Sequence, residues 1–141
     1  MTIKVKKLAA DAIAPTFMRK GDAAMDLYAN EEATIPPNER KIVGTGIAMA
    51  LPFGYAGLIW DRSGCAAKYG LKTMGGVLDS NYRGEIKIII HNLAKDPFKV
   101  EKGMRIAQMV IQAVEQREIE IVDELDETNR GENRFNSTGL M

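Results

Sequence analysis

Glu85-Ile86-Lys87-Ile88-Ile89-Ile90-His91-Asn92 is the stretch on which the fold turns. Its centre, IKIII, is β-branched and nearly continuous, and side chains so stiff at χ1 suit a pleated surface better than a helix. The pattern predicts a strand over residues 85–92, buried on both faces. Outward from it, Gly or Pro recurs from Gly21 to Gly103 at intervals mostly too short for an ordinary helix of about 11 residues. Between these breaks lie short apolar or alternating runs at residues 3–5, 40–43, 47–51 and 55–60. Short segments with frequent turn signals predict an all-β sandwich or barrel. One small helix interrupts the pattern. Ser63 is expected to cap a turn running through residues 65–69, and Gly70 to end it in the left-handed conformation.

The stretch from residue 104 to 130 is ambiguous. It has no Gly before 131 and no Pro, and its Ala, Met, Gln and Glu content favours helix. Against that, Ile106, Val110 and Val114 alternate with Gln108, Gln112 and Gln116 at strand spacing, and residues 119–121 follow the same period. Residues 123–127 are acidic and read as a solvated connection, and the last dozen have no core-forming pattern.

The chain has 141 residues, enough for one domain. The expected division is a β core over about 1–122, a connection over 123–129 and a flexible arm over 130–141. Nineteen Lys and Arg balance nineteen Asp and Glu, which argues against a nucleic-acid binder working through bulk charge. No apolar run is long enough to span a membrane, and the N-terminal residues lack the apolar stretch of a secretory signal. A lone cysteine, Cys65, excludes an internal disulfide framework, and a lone histidine, His91, excludes a His-rich metal site. A cytoplasmic protein is expected, in the host cytoplasm should the source be viral.

There is no phosphate loop of the G-x-x-x-x-G-K-[ST] type, no complete G-x-G-x-x-G, no H-E-x-x-H and no paired C-x-x-C. Three other places carry chemistry. Arg62-Ser63-Gly64 opens the small helix with a guanidinium fork, a hydroxyl and free backbone N–H groups, which suit an anion. Taken alone, these three residues favour the plainer reading of a cap and a surface arginine. Residues 75–85, GGVLDSNYRGE, form a glycine-framed excursion with Asp79 and Tyr82 at its centre, a carboxylate beside an aromatic platform; an ordinary turn would also use Asp and Asn here. Ser137-Thr138-Gly139, with Arg130 and Arg134 upstream and Phe135 between, reads either as an anion clamp on a tail or as a frayed end.

Taken together, these stretches resemble the homotrimeric dUTPase family through five motifs in the family's order. They are Ala23-Ala24-Met25-Asp26-Leu27-Tyr28-Ala29, Asp61-Arg62-Ser63-Gly64, residues 76–84 (GVLDSNYRG), Lys102-Gly103-Met104-Arg105-Ile106-Ala107-Gln108, and the segment from Arg130-Gly131 through Phe135 to Gly139. The resemblance implies a jelly-roll-like β-barrel or sandwich subunit in a homotrimer, with active sites at subunit interfaces and an exchanged C-terminal arm closing each. It also tips residues 104–121 toward strand.

The reaction so implied is dUTP and water giving dUMP and pyrophosphate, which lowers dUTP and supplies dUMP for dTTP synthesis. The resemblance makes Asp79 the general base for in-line attack of water on the α-phosphorus. It sets Tyr82 against the deoxyribose and the backbone of Gly76, Val77 and Leu78 against uracil, with Phe135 stacked from the arm. Arg62, Ser63, Gly64 and Gln108 would bind the phosphates, and Arg130, Ser137 and Thr138 the γ-phosphate. Mg²⁺ would ride on the phosphates without direct protein ligands, Asp26 acting through a metal-bound water or the sugar region. Neither membrane nor stable nucleic-acid binding is implied.

The chain departs from the family pattern at Asp61, where Pro or Gly is usual, and at Asn133, Arg134 and Asn136, which replace glycines. Asp61 is expected to bring a negative charge near the phosphates, with Arg134 partly offsetting it, and the two asparagines to tolerate left-handed backbone. The rival readings are a dCTP deaminase-type relative and a non-catalytic nucleotide-binding regulator on the same scaffold.

Overall fold

The computed structural model describes residues 1–141. In chain order its strands are β1 (Lys4–Lys7), β2 (Met25–Tyr28), β3 (Ala33–Ile35), β4 (Arg40–Gly44), β5 (Ile47–Ala50) and β6 (Tyr55–Trp60). After the helix α1 (Ser63–Tyr69) come β7 (Leu71–Met74), β8 (Val77–Leu78), β9 (Lys87–Asn92), β10 (Phe98–Val100) and β11 (Arg105–Ala113). All pairings are antiparallel: β1 with β5, β3 with β10, a sheet in the order β2-β11-β6-β8, and a sheet in the order β4-β9-β7. The expected all-β fold with one short helix holds. No helix is long and apolar enough to cross a membrane.

The deciding stretch is a central strand, but it is not buried on both faces. Ile86, Ile88 and Ile90 are buried, while Lys87 is exposed and Ile89 only partly covered. Strand periodicity sends alternate residues to opposite faces, and only the inner one meets the core of Leu27, Ile35, Val43, Ile47 and Met109. On the outer face Ile89 stands between its cross-strand partners Ile42 and Met74, both largely exposed. Buried Asn92 ends β9 with every polar atom engaged: its amide donates to the Ile35 and Asp96 carbonyls and its Oδ1 accepts the Ala94 N–H.

The ambiguous stretch resolves into strand as far as Ala113 and no further. β6 ends opposite it at Tyr55, and beyond the Val114 N–H to Gly54 bond the chain finds no partner strand. Ile119 and Ile121 therefore stand exposed, and the strand expectation for residues 114–121 fails within one chain.

Two local expectations also change at the helix. Gly70 ends it in the left-handed conformation, φ 63°, as expected, with its N–H bonded to the Ala66 carbonyl. Ser63 is not the cap: Arg62 holds the extended capping position, no side chain caps the helix, and Ser63 is its first residue. Its hydroxyl is left for other partners.

Candidate active site

The four-stranded sheet brings the first, second and fourth motifs to one place. Gln108 on β11 is the cross-strand partner of both Asp26 on β2 and Trp60 on β6, so the three form one row across the sheet. The row borders a cleft of about 700 Å³, completed by Arg62, Ser63 and Gly64 at the start of α1 and by Arg105. Arg105 and Gln108 lie three apart on β11, a spacing that would send them to opposite faces of a regular strand. The register shifts between Arg105 and Ala107, and that bulge returns both residues to the cleft.

Asp26 is the electrostatic hub. Its Oδ1 accepts the Arg62 Nε–H at 3.0 Å, and its Oδ2 lies 3.6 Å from the Arg105 Nε. The guanidinium of Arg105 also covers the Tyr28 ring, 5.8 Å from its centre. Three arginines (19, 62 and 105) line the cleft against two aspartates (22 and 26), leaving a positive balance that suits an anion. Trp60 is 54% exposed and forms one wall.

Asp61 does not face this cleft. Its carboxylate accepts the Thr73 N–H at 2.6 Å, the Thr73 hydroxyl at 2.8 Å and the Lys72 ammonium at 2.9 Å. Within one chain, Lys72 is the cation that offsets the Asp61 charge. The Asp61 carbonyl accepts the Gln108 side-chain N–H at 2.7 Å.

The third motif builds a separate pocket of about 220 Å³. Gly76, Val77, Leu78, Asp79 and Tyr82 line it with Ile59, Glu85, Ile86 and Lys87. β8 pairs with β6 and the Ile59 N–H bonds the Gly76 carbonyl at 2.8 Å, so the excursion is fixed at its root. Gly76, φ 98°, admits no side chain: a Cβ there would stand 2.9 Å from the Ile59 carbonyl oxygen. The Tyr82 hydroxyl donates to the Glu85 carbonyl at 3.0 Å, and the Glu85 carboxylate accepts the Gly46 N–H at 3.0 Å. Lys87 approaches the same carboxylate.

The arm brings none of its residues to either pocket. Arg130, Phe135, Ser137 and Thr138 are exposed, the Arg130 Nε–H bonds the Asn133 carbonyl, and Arg134 lies over the Phe135 ring. Asn136 adopts the expected left-handed backbone, φ 58°, but Asn133 does not, and Phe135 does at φ 46°. Trp60, Lys72, Thr73 and Glu85 join these sites without a sequence signal of their own, and Arg105 lies within the fourth motif but reaches the cleft only through the bulge.

An all-β chain with one short helix beside an arginine-lined cleft is the class of protein defined so far. The dUTPase family model matches residues 10–139, and the chain belongs to the dUTPase family, a family of enzymes. It is 48% identical over 140 residues to a deoxyuridine 5'-triphosphate nucleotidohydrolase of Clostridioides difficile, covering 98% of each chain. It is 47% identical to the Corynebacterium glutamicum protein of that name, covering 97% of this chain and 94% of the other. Among solved structures, the Staphylococcus bacteriophage 80alpha dUTPase with dUPNHPP superposes with a TM-score of 0.93 at 30% identity, covering 99% of both chains. A mutant dUTPase of S. aureus phage phi11, described as coordinating a structural Mg(II) ion, matches with a TM-score of 0.85 at 27% identity, covering 90% of this chain and 100% of that one.

Proposed function

We propose that this chain is a single-domain enzyme that hydrolyses dUTP to dUMP and pyrophosphate, working as a homotrimer whose subunits share their active sites. What carries the reading is the convergence of Asp26, Arg62, Ser63 and Gln108, from three separate motifs, on one cleft of positive balance. In it Arg62, Ser63, Gly64 and Gln108 bind the phosphates. Asp26 holds Arg62 in place through its ion pair.

The Asp79 pocket reads the nucleoside. Backbone groups of Gly76, Val77 and Leu78 bond the uracil edge, and the Tyr82 ring packs on the deoxyribose so that a 2′-hydroxyl has neither room nor partner. Asp79 takes a proton from water as its oxygen attacks the α-phosphorus. The bond from that phosphorus to the bridging oxygen breaks, and pyrophosphate leaves with the electron pair. A carboxylate is a weak base toward water, so positioning and exclusion of water carry much of the rate. The arm supplies Phe135 to stack on uracil and Arg130, Ser137 and Thr138 to the γ-phosphate.

No residues of one subunit line both pockets, which supports assembly of each site from neighbouring subunits. The exposed Ile42 and Met74 flanking half-buried Ile89 on the outer sheet, and the exposed Ile119 and Ile121, give such neighbours apolar surface to cover. No three His, Cys, Asp or Glu side chains gather to hold a metal. Mg²⁺ carried in on the triphosphate would need no such cage; it would neutralise phosphate charge there and keep several of its waters.

The test is pyrophosphate release from dUTP, dCTP, dTTP and UTP with Mg²⁺, by the intact chain and by one stopped after Asn129. Release from dUTP alone, lost on truncation, is expected. Ammonia from dCTP would favour the deaminase, and no release from a folded trimer the regulator.

A further inference from the structure

Helix α1 has no fully buried residue, and its own faces anchor it lightly: Cys65 packs partly against the core with its thiol 3.8 Å from the Arg105 carbonyl, and the Tyr69 ring lies 5.1 Å from that of Phe98. A helix of seven residues is also too short to be stable by itself. Further anchoring comes from its two ends. At the C-terminal end the Gly70 carbonyl accepts the Leu93 N–H at 2.9 Å, and Gly70 sits so close to Ala94 that a Cβ would approach its backbone N to 3.1 Å. At the N-terminal end stands Asp61.

Asp61 leaves β6 in the four-stranded sheet and bonds Thr73 and Lys72 on β7 in the three-stranded sheet. The contacts close the helix-bearing segment 61–73 at its base and join the two sheets beside the cleft. Thr73 is 8% exposed, so its paired N–H and hydroxyl sit where water is scarce and each lost bond is costly. On its other side the Asp61 carbonyl orients the Gln108 amide. Asp61 does not itself line the cleft.

We propose that Asp61 is a positioning residue: by clamping the start of α1 to β7 and holding the Gln108 amide, it sets the geometry, and so the affinity, of the polyphosphate contacts. The inference rests on the dUTP reading above, in which Arg62, Ser63 and Gln108 are those contacts. A residue that occupies a phosphate-binding turn with a negative charge thus aids anion binding, because the charge is spent on Lys72 and Thr73.

The experiment compares Asp61→Ala and Asp61→Asn with the unaltered chain, measuring calorimetric affinity for inorganic pyrophosphate and KM and kcat for dUTP. Asp61→Ala should weaken pyrophosphate about tenfold and raise KM in parallel, with kcat falling less than about threefold. Asp61→Asn keeps an oxygen for both Thr73 donors and should recover to within about threefold. Folded Asp61→Ala with pyrophosphate affinity within about twofold of the unaltered chain overturns the proposal, as does an equal loss in Asp61→Asn. Should Asp61→Ala fail to fold, the pair Lys72→Met with Thr73→Val removes two donors and leaves Asp61 in place; unchanged pyrophosphate affinity there also overturns it. An unaltered chain that neither binds pyrophosphate nor turns over dUTP sinks the dUTP reading and this one together. Normal turnover beside an Asp61→Ala variant of unchanged affinity sinks this one alone.

Discussion

Asp26 and Arg62, thirty-six residues apart in the chain, meet Oδ1 to Nε at 3.0 Å, and the carboxylate is the more buried partner, 12% exposed against 32%. The pair is therefore asymmetric: the aspartate depends on the arginines for its charge balance more than they depend on it.

Asp26→Asn should cost about 1–3 kcal/mol of stability, since Arg62 and Arg105 both lose the carboxylate between them. Chemical denaturation reads this directly. The same variant should raise KM for dUTP more than it lowers kcat, because a loosened Arg62 weakens substrate and transition state alike. A stability and a KM both equal to those of the unaltered chain would remove Asp26 as the hub.

Asp79→Asn keeps the shape of its pocket and loses the base. Turnover should fall by about 10²-fold or more with dUTP binding little changed, as read by single-turnover kinetics and equilibrium titration. Near-normal turnover takes the role from Asp79.

Gly84 has no side chain where the Tyr82 hydroxyl and ring lie; a Cβ there would collide with that hydroxyl, and the ring's Cε2 would stand 3.1 Å away. Gly84→Ala should push the Tyr82 ring toward the nucleoside pocket. The expected result is a higher KM for dUTP and an altered ratio of dUTP to UTP turnover, with melting little changed because Tyr82 is 44% exposed. An unchanged ratio separates Tyr82 from sugar discrimination.

Acid should probe the Asp61 clamp. Burial raises the Asp61 carboxyl, but the Thr73 N–H, the Lys72 ammonium and the Thr73 hydroxyl outweigh it and hold it below its ordinary 3.8. At the surface the Lys102 ammonium likewise lowers Asp11. A carboxyl lowered in the folded state lends stability that is complete above the unfolded value and fades as pH falls through the folded one. The melting temperature should thus hold well above pH 3.8 and fall below it, and Asp61→Asn should flatten that fall. An acid limb equally steep in the variant assigns the loss to other groups.

The architecture was legible where the local signal was unopposed. The run 55–60 is a strand with those bounds, and Gly70 stops the helix in the conformation only a residue without a Cβ enters freely. Apolar continuity misled at Ile89, since one-dimensional hydrophobicity does not say whether a second layer covers the outer face. Ser63 misled as a cap because serine has two competing uses, and the backbone bond geometry chose Arg62. Of the candidate site, the residue types were legible but not their grouping. That Asp26, Trp60 and Gln108 share one row depends on the register of three strands, and that Arg105 joins them depends on a bulge. Asp61 was misjudged for the same reason: its partners lie eleven and twelve residues on, on another sheet.

The arginine-lined cleft and the Asp79 pocket share no residue, and that has a genetic corollary. If each working centre draws its two halves from different copies, a Ser63→Ala copy and an Asp79→Asn copy are inactive alone, yet a mixed assembly of the two contains a junction with both halves intact. Two null alleles of this gene would then complement one another in the same cell, and a copy damaged in one half alone would silence only the one centre to which it lends that half.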